Sequence, residues 1–359
     1  MTRWKKRLGV IAVVAMLVAV YGWWATSWDL SVAYRVNVEG ARVALAFSPD
    51  GRSVLVNRGP GRTLAWVDLD AGAVRPVPVF GGSWTTAAVS PDGSMIAIAS
   101  CLDVESTGSV VVVGLADGTV RRRIEFESPV RLETTFPPDK EELLILINRA
   151  SSGLMLSVDA IEVWDTSTWE KKRELVPPTR GWGHFVDRGR ALVRRKPEGT
   201  IASVDSLPDF RSLPVPFEVQ LPMAIGLAMG TRQERRLFAT CFLDGSVSIW
   251  GPENGPKWSH LSGHRRGFGA FGLLLSPDGR WLSSGGNSLN GASTMTLVME
   301  RFLGTDYSEA TQNEVVVHDV TTGKAIACLP AQQGAVFSPD SRFLATVGPG
   351  GPLRVWRLP

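Results

Sequence analysis

The chain has 359 residues, 44% of them hydrophobic and 20% charged, with a formal net charge of +3. Removing the four basic residues Arg3, Lys5, Lys6 and Arg7 leaves −1, so there is no excess of positive charge to attract nucleic acid. Three cysteines, Cys101, Cys241 and Cys328, are odd in number and imply no disulfide framework, and without a Pro/Ser linker or low-complexity block the chain reads as one folded domain behind a short N-terminal segment.

Residues 8–28 carry no charge, and the run from Leu8 to Val20 is apolar enough for a membrane span of about 20 residues. Trp4 precedes the run, and Tyr21, Trp23, Trp24 and Trp28 follow it, as in an interfacial aromatic belt. All the nearby basic residues lie before the span and none follows until Arg35, so the positive-inside rule puts the N-terminus in the cytoplasm and the rest of the chain outside. Residues 1–28 therefore read as a basic N-terminus plus a transmembrane signal-anchor helix. The competing reading is a cleaved secretory signal with Ala25-Thr26-Ser27 as its small-residue site, which gives a secreted or periplasmic protein; bulky Trp23 and Trp24 just before that site argue against it.

Ser31 to Val38 alternates strictly, with Val32, Tyr34, Val36 and Val38 apolar and Ser31, Ala33, Arg35 and Asn37 small or polar, the period of a half-buried strand. From Ala44 onward one design recurs seven times at a spacing of roughly 40 to 60 residues: an apolar run, a tight turn, a second apolar run, and a third strand ending in a Trp-Asp-like pair. The turn is clearest at Ser48-Pro49-Asp50-Gly51, Ser90-Pro91-Asp92-Gly93 and Ser276-Pro277-Asp278-Gly279. Variants stand at Pro137-Pro138-Asp139-Lys140 and Ser338-Pro339-Asp340-Ser341, a degenerate form at Asp187-Arg188-Gly189, and one without proline at Thr231 to Glu234. Proline pre-sets φ, Asp or Ser ties the turn to its own backbone, and Gly accepts the left-handed exit, so each turn joins two antiparallel strands. The strand-closing pairs align as Val67-Asp68, Val113-Gly114, Trp164-Asp165, Val204-Asp205, Trp250-Gly251, His318-Asp319 and Trp356-Arg357. Only three residues follow Trp356, too few for an outer strand, so residues 31–38 are expected to supply it and to close the ring. The expected fold is all-β: a seven-bladed β-propeller of four-stranded blades over residues 29–359, preceded by one transmembrane helix.

The pieces Gly263-His264, Val163-Trp164-Asp165, Asp244-Gly245-Ser246-Val247-Ser248-Ile249-Trp250 and Val317-His318-Asp319-Val320-Thr321-Thr322-Gly323-Lys324 resemble the WD-repeat family. That family carries Gly-His before the first strand of a blade and Trp-Asp at the end of the third, and the resemblance spans residues 31 to 359. It implies structural roles for Gly263, His264, Trp164, Asp165, Asp244, Trp250, Asp319 and Trp356. It also implies a buried hydrogen-bond network of His, Ser or Thr, Asp and Trp within a blade, although no blade here has all four. Hairpins with Ser-Pro-Asp-Gly also occur in TolB-like propellers, which leaves the subfamily open.

Motifs of catalysis are weak. Gly267 to Gly272 satisfies G-x-G-x-x-G but opens a strand rather than a helix, and His260 and His264 lack the helix that would aim both at one metal. Asp68-Leu69-Asp70-Ala71-Gly72 hints at a calcium loop but aligns with the turn at Asp319 to Gly323. With no G-x-S-x-G elbow, P-loop or C-x-x-C, no enzyme, cofactor or metal is expected. Arg121 to Arg123, Arg194 to Lys196 and Arg265-Arg266 read as solvated faces. The long insertions, Ser100 to Gly108, Arg149 to Val158 and above all the insertion over about 287–312, all join the second strand of a blade to the third, on the face opposite the turns. The connections between blades bring Trp84, Trp182, His184, Arg265, Arg266 and Phe268 to that same face, an aromatic and arginine mixture suited to binding a protein or peptide partner. The expected function is thus a membrane-tethered, non-enzymatic interaction scaffold outside the cytoplasm. The alternatives are a secreted hydrolase or lactonase-like propeller, often with calcium, and a structural subunit of an envelope assembly.

Overall fold

Val110, Val111, Val112 and Val113 are all buried, with at most 2% exposure, so this run does not alternate between core and solvent. In the computed structural model of the chain, Val110 and Val112 join a cluster with Leu143, Ile145 and Ile147, whereas Val111 and Val113 join one with Leu55 and Leu64. Both faces of the strand are therefore core, each against a different neighbour, which is what an unbroken β-branched run suits. Burial of each such side chain contributes roughly 1.5–3 kcal/mol, and repetition of this seam around a ring builds the molecule.

The structure describes residues 30–59, 63–80, 84–101, 107–115, 117–150, 156–178, 181–195, 201–213, 224–232, 235–242, 245–251, 256–261, 263–264, 268–288, 313–330, 332–348 and 351–359. The first strand, β1 (Ser31–Asn37), precedes blade 1, which comprises β2 (Ala41–Phe47), β3 (Ser53–Arg58), β4 (Thr63–Asp68) and β5 (Val74–Phe80). Blade 2 holds β6 (Trp84–Val89), β7 (Met95–Cys101), β8 (Thr107–Gly114) and the first part of β9 (Val120–Thr135). Blade 3 holds the rest of β9 with β10 (Glu142–Ala150), β11 (Leu156–Asp165) and β12 (Lys171–Leu175). Blade 4 has β13 (Trp182–Val186), β14 (Ala191–Arg195) and β15 (Ile201–Ser206), and its outermost pairing is a bridge between Asp205 and Ser212. Blade 5 is β16 (Ala224–Arg232), β17 (Arg235–Phe242), β18 (Val247–Trp250) and β19 (Pro256–Leu261). Blade 6 is β20 (Phe268–Leu275), β21 (Trp281–Ser288), β22 (Asn313–Asp319) and β23 (Ala325–Pro330). Blade 7 takes β24 (Gln333–Phe337), β25 (Phe343–Val347) and β26 (Pro352–Arg357), and its fourth strand is β1. The result is an all-β, seven-bladed propeller.

Ring closure follows the expected strand. β1 runs antiparallel to β26 from Ser31 opposite Arg357 to Asn37 opposite Pro352. Leu30, just before it, is buried with Trp281, Leu344 and Leu358 at the seam of blades 6 and 7, on the side of the tight turns. Residues 1–29, and with them the expected membrane helix, lie outside the described residues. Among the described residues no helix is long and apolar enough to cross a membrane.

The Ser-Pro-Asp turns share one geometry. In each of four blades the serine Oγ donates to the aspartate Oδ1 at 2.6 Å, at Ser48 and Asp50, Ser90 and Asp92, Ser276 and Asp278, and Ser338 and Asp340. The same Oγ accepts the backbone N–H five residues on, at 2.9 Å, from Ser53, Met95, Trp281 and Phe343. These donors hold the Asp50 and Asp92 carboxyls below the ordinary carboxylate range. The left-handed exit is glycine at Gly51, Gly93 and Gly279, but Ser341 takes it in blade 7 with φ of 60°. Its Oγ accepts the Asp278 N–H at 3.1 Å, which ties the turns of blades 6 and 7 together.

Two features depart from the expected pattern. First, β9 is one 16-residue strand that serves as the outer strand of blade 2, up to Pro129 opposite Thr107, and as the inner strand of blade 3, from Val130 opposite Arg149. Blades 2 and 3 thereby merge into a seven-stranded sheet. Second, the closing pair of blade 4 is one residue out from the sequence alignment. Trp164, Trp250, His318 and Trp356 lie opposite Leu143, Phe238, Leu282 and Leu344, and in blade 4 the residue so placed, opposite Leu192, is Asp205 rather than Val204. Val204 points the other way, into the cluster with Leu227 and Phe238. A one-residue slip exchanges the two faces of a strand, so Asp205 is not a turn aspartate like Asp68, Asp165 and Asp319. Those three accept backbone N–H groups from the turns that follow them.

Candidate functional site

The insertion-bearing face is defined by strand ends. β7, β10 and β21 run away from the tight turns, and the connections leading from them, 102–106, 151–155 and 289–312, lie outside the described residues. Trp84, Trp182 and Phe268 are the first residues of the inner strands β6, β13 and β20, which start on that same face. Their side chains, and Arg265 and Arg266 altogether, lie outside what the structure describes. His184 is half-buried on the inner strand of blade 4, with Nε2 3.3 Å from the carbonyl of Leu227 in blade 5. That contact fastens neighbouring blades, so the structure assigns His184 a place in the wall between them.

The inner wall has further polar ties between blades 3 and 4. Asn148 is buried and makes a two-way contact with Gly183, Oδ1 accepting its N–H at 3.2 Å and Nδ2 donating to its carbonyl at 3.3 Å. Glu133 Oε1 accepts the Phe185 N–H at 3.1 Å, and burial pushes its carboxyl up to about 7 against the opposing pull of that N–H and of Arg131. Side chains of blade 3 thus satisfy backbone groups on β13 that no strand covers.

One pair of positions, the strand-closing residue and the residue two beyond its cross-strand partner, is apolar in blades 1 to 3 and polar in blades 4 to 7. The apolar versions are Val67 with Val56, Val113 with Ile98, and Trp164 with Ile145. In blade 5 Trp250 Nε1 donates to Thr240 Oγ1 at 3.0 Å, and in blade 7 Trp356 Nε1 donates to Thr346 Oγ1 at 2.8 Å. Thr346 in turn donates to buried Gln332 Oε1 at 2.9 Å. In blade 4 the same positions hold an ion pair, Arg194 Nε to Asp205 Oδ2 at 2.6 Å, with Ser203 Oγ donating to the same oxygen at 2.9 Å. In blade 6 they hold Ser284 and His318, and His264 joins them from before β20: Nε2 is 2.8 Å from Ser284 Oγ and Nδ1 2.9 Å from Glu314 Oε1. Cys328 Sγ lies 3.7 Å from the other oxygen of Glu314.

Ser284, His264 and Glu314 have the connectivity of a serine nucleophile, base and orienting acid. Ser284 has 0% exposure and the side chains of His264 and Glu314 1% and 0%, so no substrate reaches the hydroxyl. The three act as an internal clamp between β20, β21 and β22. His264 and Trp250 each bond a hydroxyl, of Ser284 and Thr240, whereas Trp164 donates to Glu162 at 2.9 Å and Asp244 lies outside the described residues. Gln332, Ser284 and Glu314 were not singled out from sequence; the available signal for Gln332 was its place just before an inner strand, where blade 6 has His264. Among the described residues no three His, Cys, Asp or Glu side chains converge as metal ligands do. No family model matches this chain, and no curated protein matches it either.

Proposed function

We propose that this protein is a membrane-tethered, WD-repeat-like propeller, without enzymatic activity, that binds a protein or peptide partner outside the cytoplasm through the face opposite its tight turns. One observation carries the reading: the longest within-blade connection, 289–312, and the starts of the inner strands at Trp84, Trp182 and Phe268 all belong to one face. Tethering rests on the uncharged run of residues 8–28, which joins the ring at Leu30 on the opposite face. The partner-bearing face then points away from the bilayer. Replacing residues 289–312 by a short turn should leave thermal unfolding within a few degrees of the parent, because long surface connections change closure entropy little, while capture of the partner by affinity pull-down from the envelope fraction is lost. Retained capture after that deletion, combined with loss of capture in folded Asp50→Lys or Asp92→Lys variants, would show that the working face is the turn face instead.

A further inference from the structure

The arginines of the turn face are unevenly distributed. The residue after the left-handed turn position is Arg52 in blade 1, Arg280 in blade 6 and Arg342 in blade 7, while in blade 2 it is Ser94. These three arginines and Arg357, at the end of β26, are exposed, and none of the four forms an ion pair among the described residues. On the far side of the ring three cations of this face are held by carboxylates, Arg121 by Asp117 at 2.7 Å, Lys172 by Asp165 at 2.9 Å and Arg190 by Asp139 at 2.6 Å, while Lys140 and Arg188 stand exposed in separate turns.

Three of these arginines, Arg280, Arg342 and Arg357, lie about the point where the N-terminal segment meets the ring, and Arg52 stands on the next blade. Leu30 is buried there against Trp281 and Leu358. The Arg280 guanidinium lies 4.3 Å from the centre of the Trp281 ring, and those of Arg342 and Arg357 lie 6.0 and 5.9 Å from the centre of the Phe343 ring, with Tyr34 edge-on to the same ring at 6.3 Å. The bond from Asp278 N–H to Ser341 Oγ brings the Arg280 and Arg342 turns into contact. Val32, the second residue of β1, is 46% exposed beside this group. The carboxylates among these turns, Asp50, Asp278 and Asp340, each accept a serine hydroxyl and a backbone N–H, so their charge is held within the turn while the arginines reach outward on long stems.

We propose that this arc of the turn face, Arg52, Arg280, Arg342 and Arg357, is a docking surface for anionic lipid headgroups that holds the propeller against the bilayer beside its own anchor. Residues 1–29, which lie outside the described residues, lead into the ring at Leu30 beside this group. An arginine fork matches the oxygens of a phosphate, and cations at a charged bilayer act cooperatively over about a Debye length. The inference rests on the reading of residues 8–28 as a membrane anchor, and the two are separable.

The test uses the full chain with vesicles of phosphatidylcholine alone and vesicles that also contain phosphatidylglycerol, with flotation to report attachment and hydrogen exchange to report the surface. The expected result is flotation with both vesicles and, only with the anionic one, at least fivefold slower exchange at residues 51–52, 279–280 and 341–342, reversed by high salt. Arg280→Glu/Arg342→Glu/Arg357→Glu should abolish that difference, and the matching lysine variant should keep most of it. The comparison of the two vesicles with the unaltered chain stands even if the glutamate variant does not fold. Flotation with both vesicles but equal exchange would overturn the docking surface and leave the anchor intact. Flotation with the anionic vesicle alone would support the surface and remove the anchor, and flotation with neither would remove both.

Discussion

At Glu133 the carboxyl is pushed from its ordinary value of 4.5 to about 7 by burial in the seam of blades 3 and 4. The folded chain therefore holds a proton at this site that the unfolded chain releases between those two pH values. Stability is highest below about 4.5, falls as pH rises through the window, and carries the full cost above 7. Glu133→Gln, which keeps an oxygen for the Phe185 N–H without a charge, should raise stability by roughly 1–3 kcal/mol at pH 8 and change it little at pH 4, as measured by urea unfolding at the two pH values. An equal effect at both would mean that the charge is already relieved by a route other than protonation. Glu133 was not legible from sequence, because its partner is a backbone amide 52 residues away.

Blade 4 differs from its neighbours in how its second and third strands are fastened. Where blades 5 and 7 use a Thr and a Trp, it uses Arg194 and Asp205, with side-chain exposures of 8% and 2%. A lone buried charge costs far more than a buried pair or none. Arg194→Met alone should therefore destabilise the ring by about 3–5 kcal/mol, while Arg194→Met/Asp205→Leu should regain most of that loss in the same unfolding measurement. If single and double variants unfold alike, the pair does not act as a unit. At this scale the sequence was a good guide wherever a proline punctuated the turn, and the tight turn at Asp187 to Gly189 was found as well. The register of β15 was missed because Val204-Asp205 imitates Val67-Asp68, and only the cross-strand partner distinguishes them. The joining of two blades through β9 was missed because an outer and an inner strand that run on without a turn leave no punctuation to read.

The seven-bladed ring and its closing strand were legible because they depend on a repeat and on a missing fourth strand, both of which are properties of the whole chain. Closure should matter energetically. A chain that begins at Ala41 loses the buried side chains of Leu30, Val36 and Val38, together roughly 5 kcal/mol of apolar burial, and leaves the edge of β26 uncovered. Compared with one that begins at Asp29, it should melt about 10 °C lower. A difference of only two or three degrees by scanning calorimetry would show that blade 7 holds without its fourth strand. The expected membrane helix and the aromatic and arginine group at the opposite face fall on residues or side chains that lie outside the description, so they remain the substance of the proposal above.

The direction of β1 has a mechanical consequence. Its first residue, Ser31, pairs with Arg357 on the turn side, and its last, Asn37, pairs with Pro352 on the other. A pull on the chain at Leu30, directed away from the turn face, acts along the strand's own axis and loads the six register pairs with β26 together. A pull directed across the strand, in the plane of the sheet, would open those pairs one after another. A tether at this end would put the latch in shear, so that tension across the ring would strain every bond of the seam at once and tear none of them first.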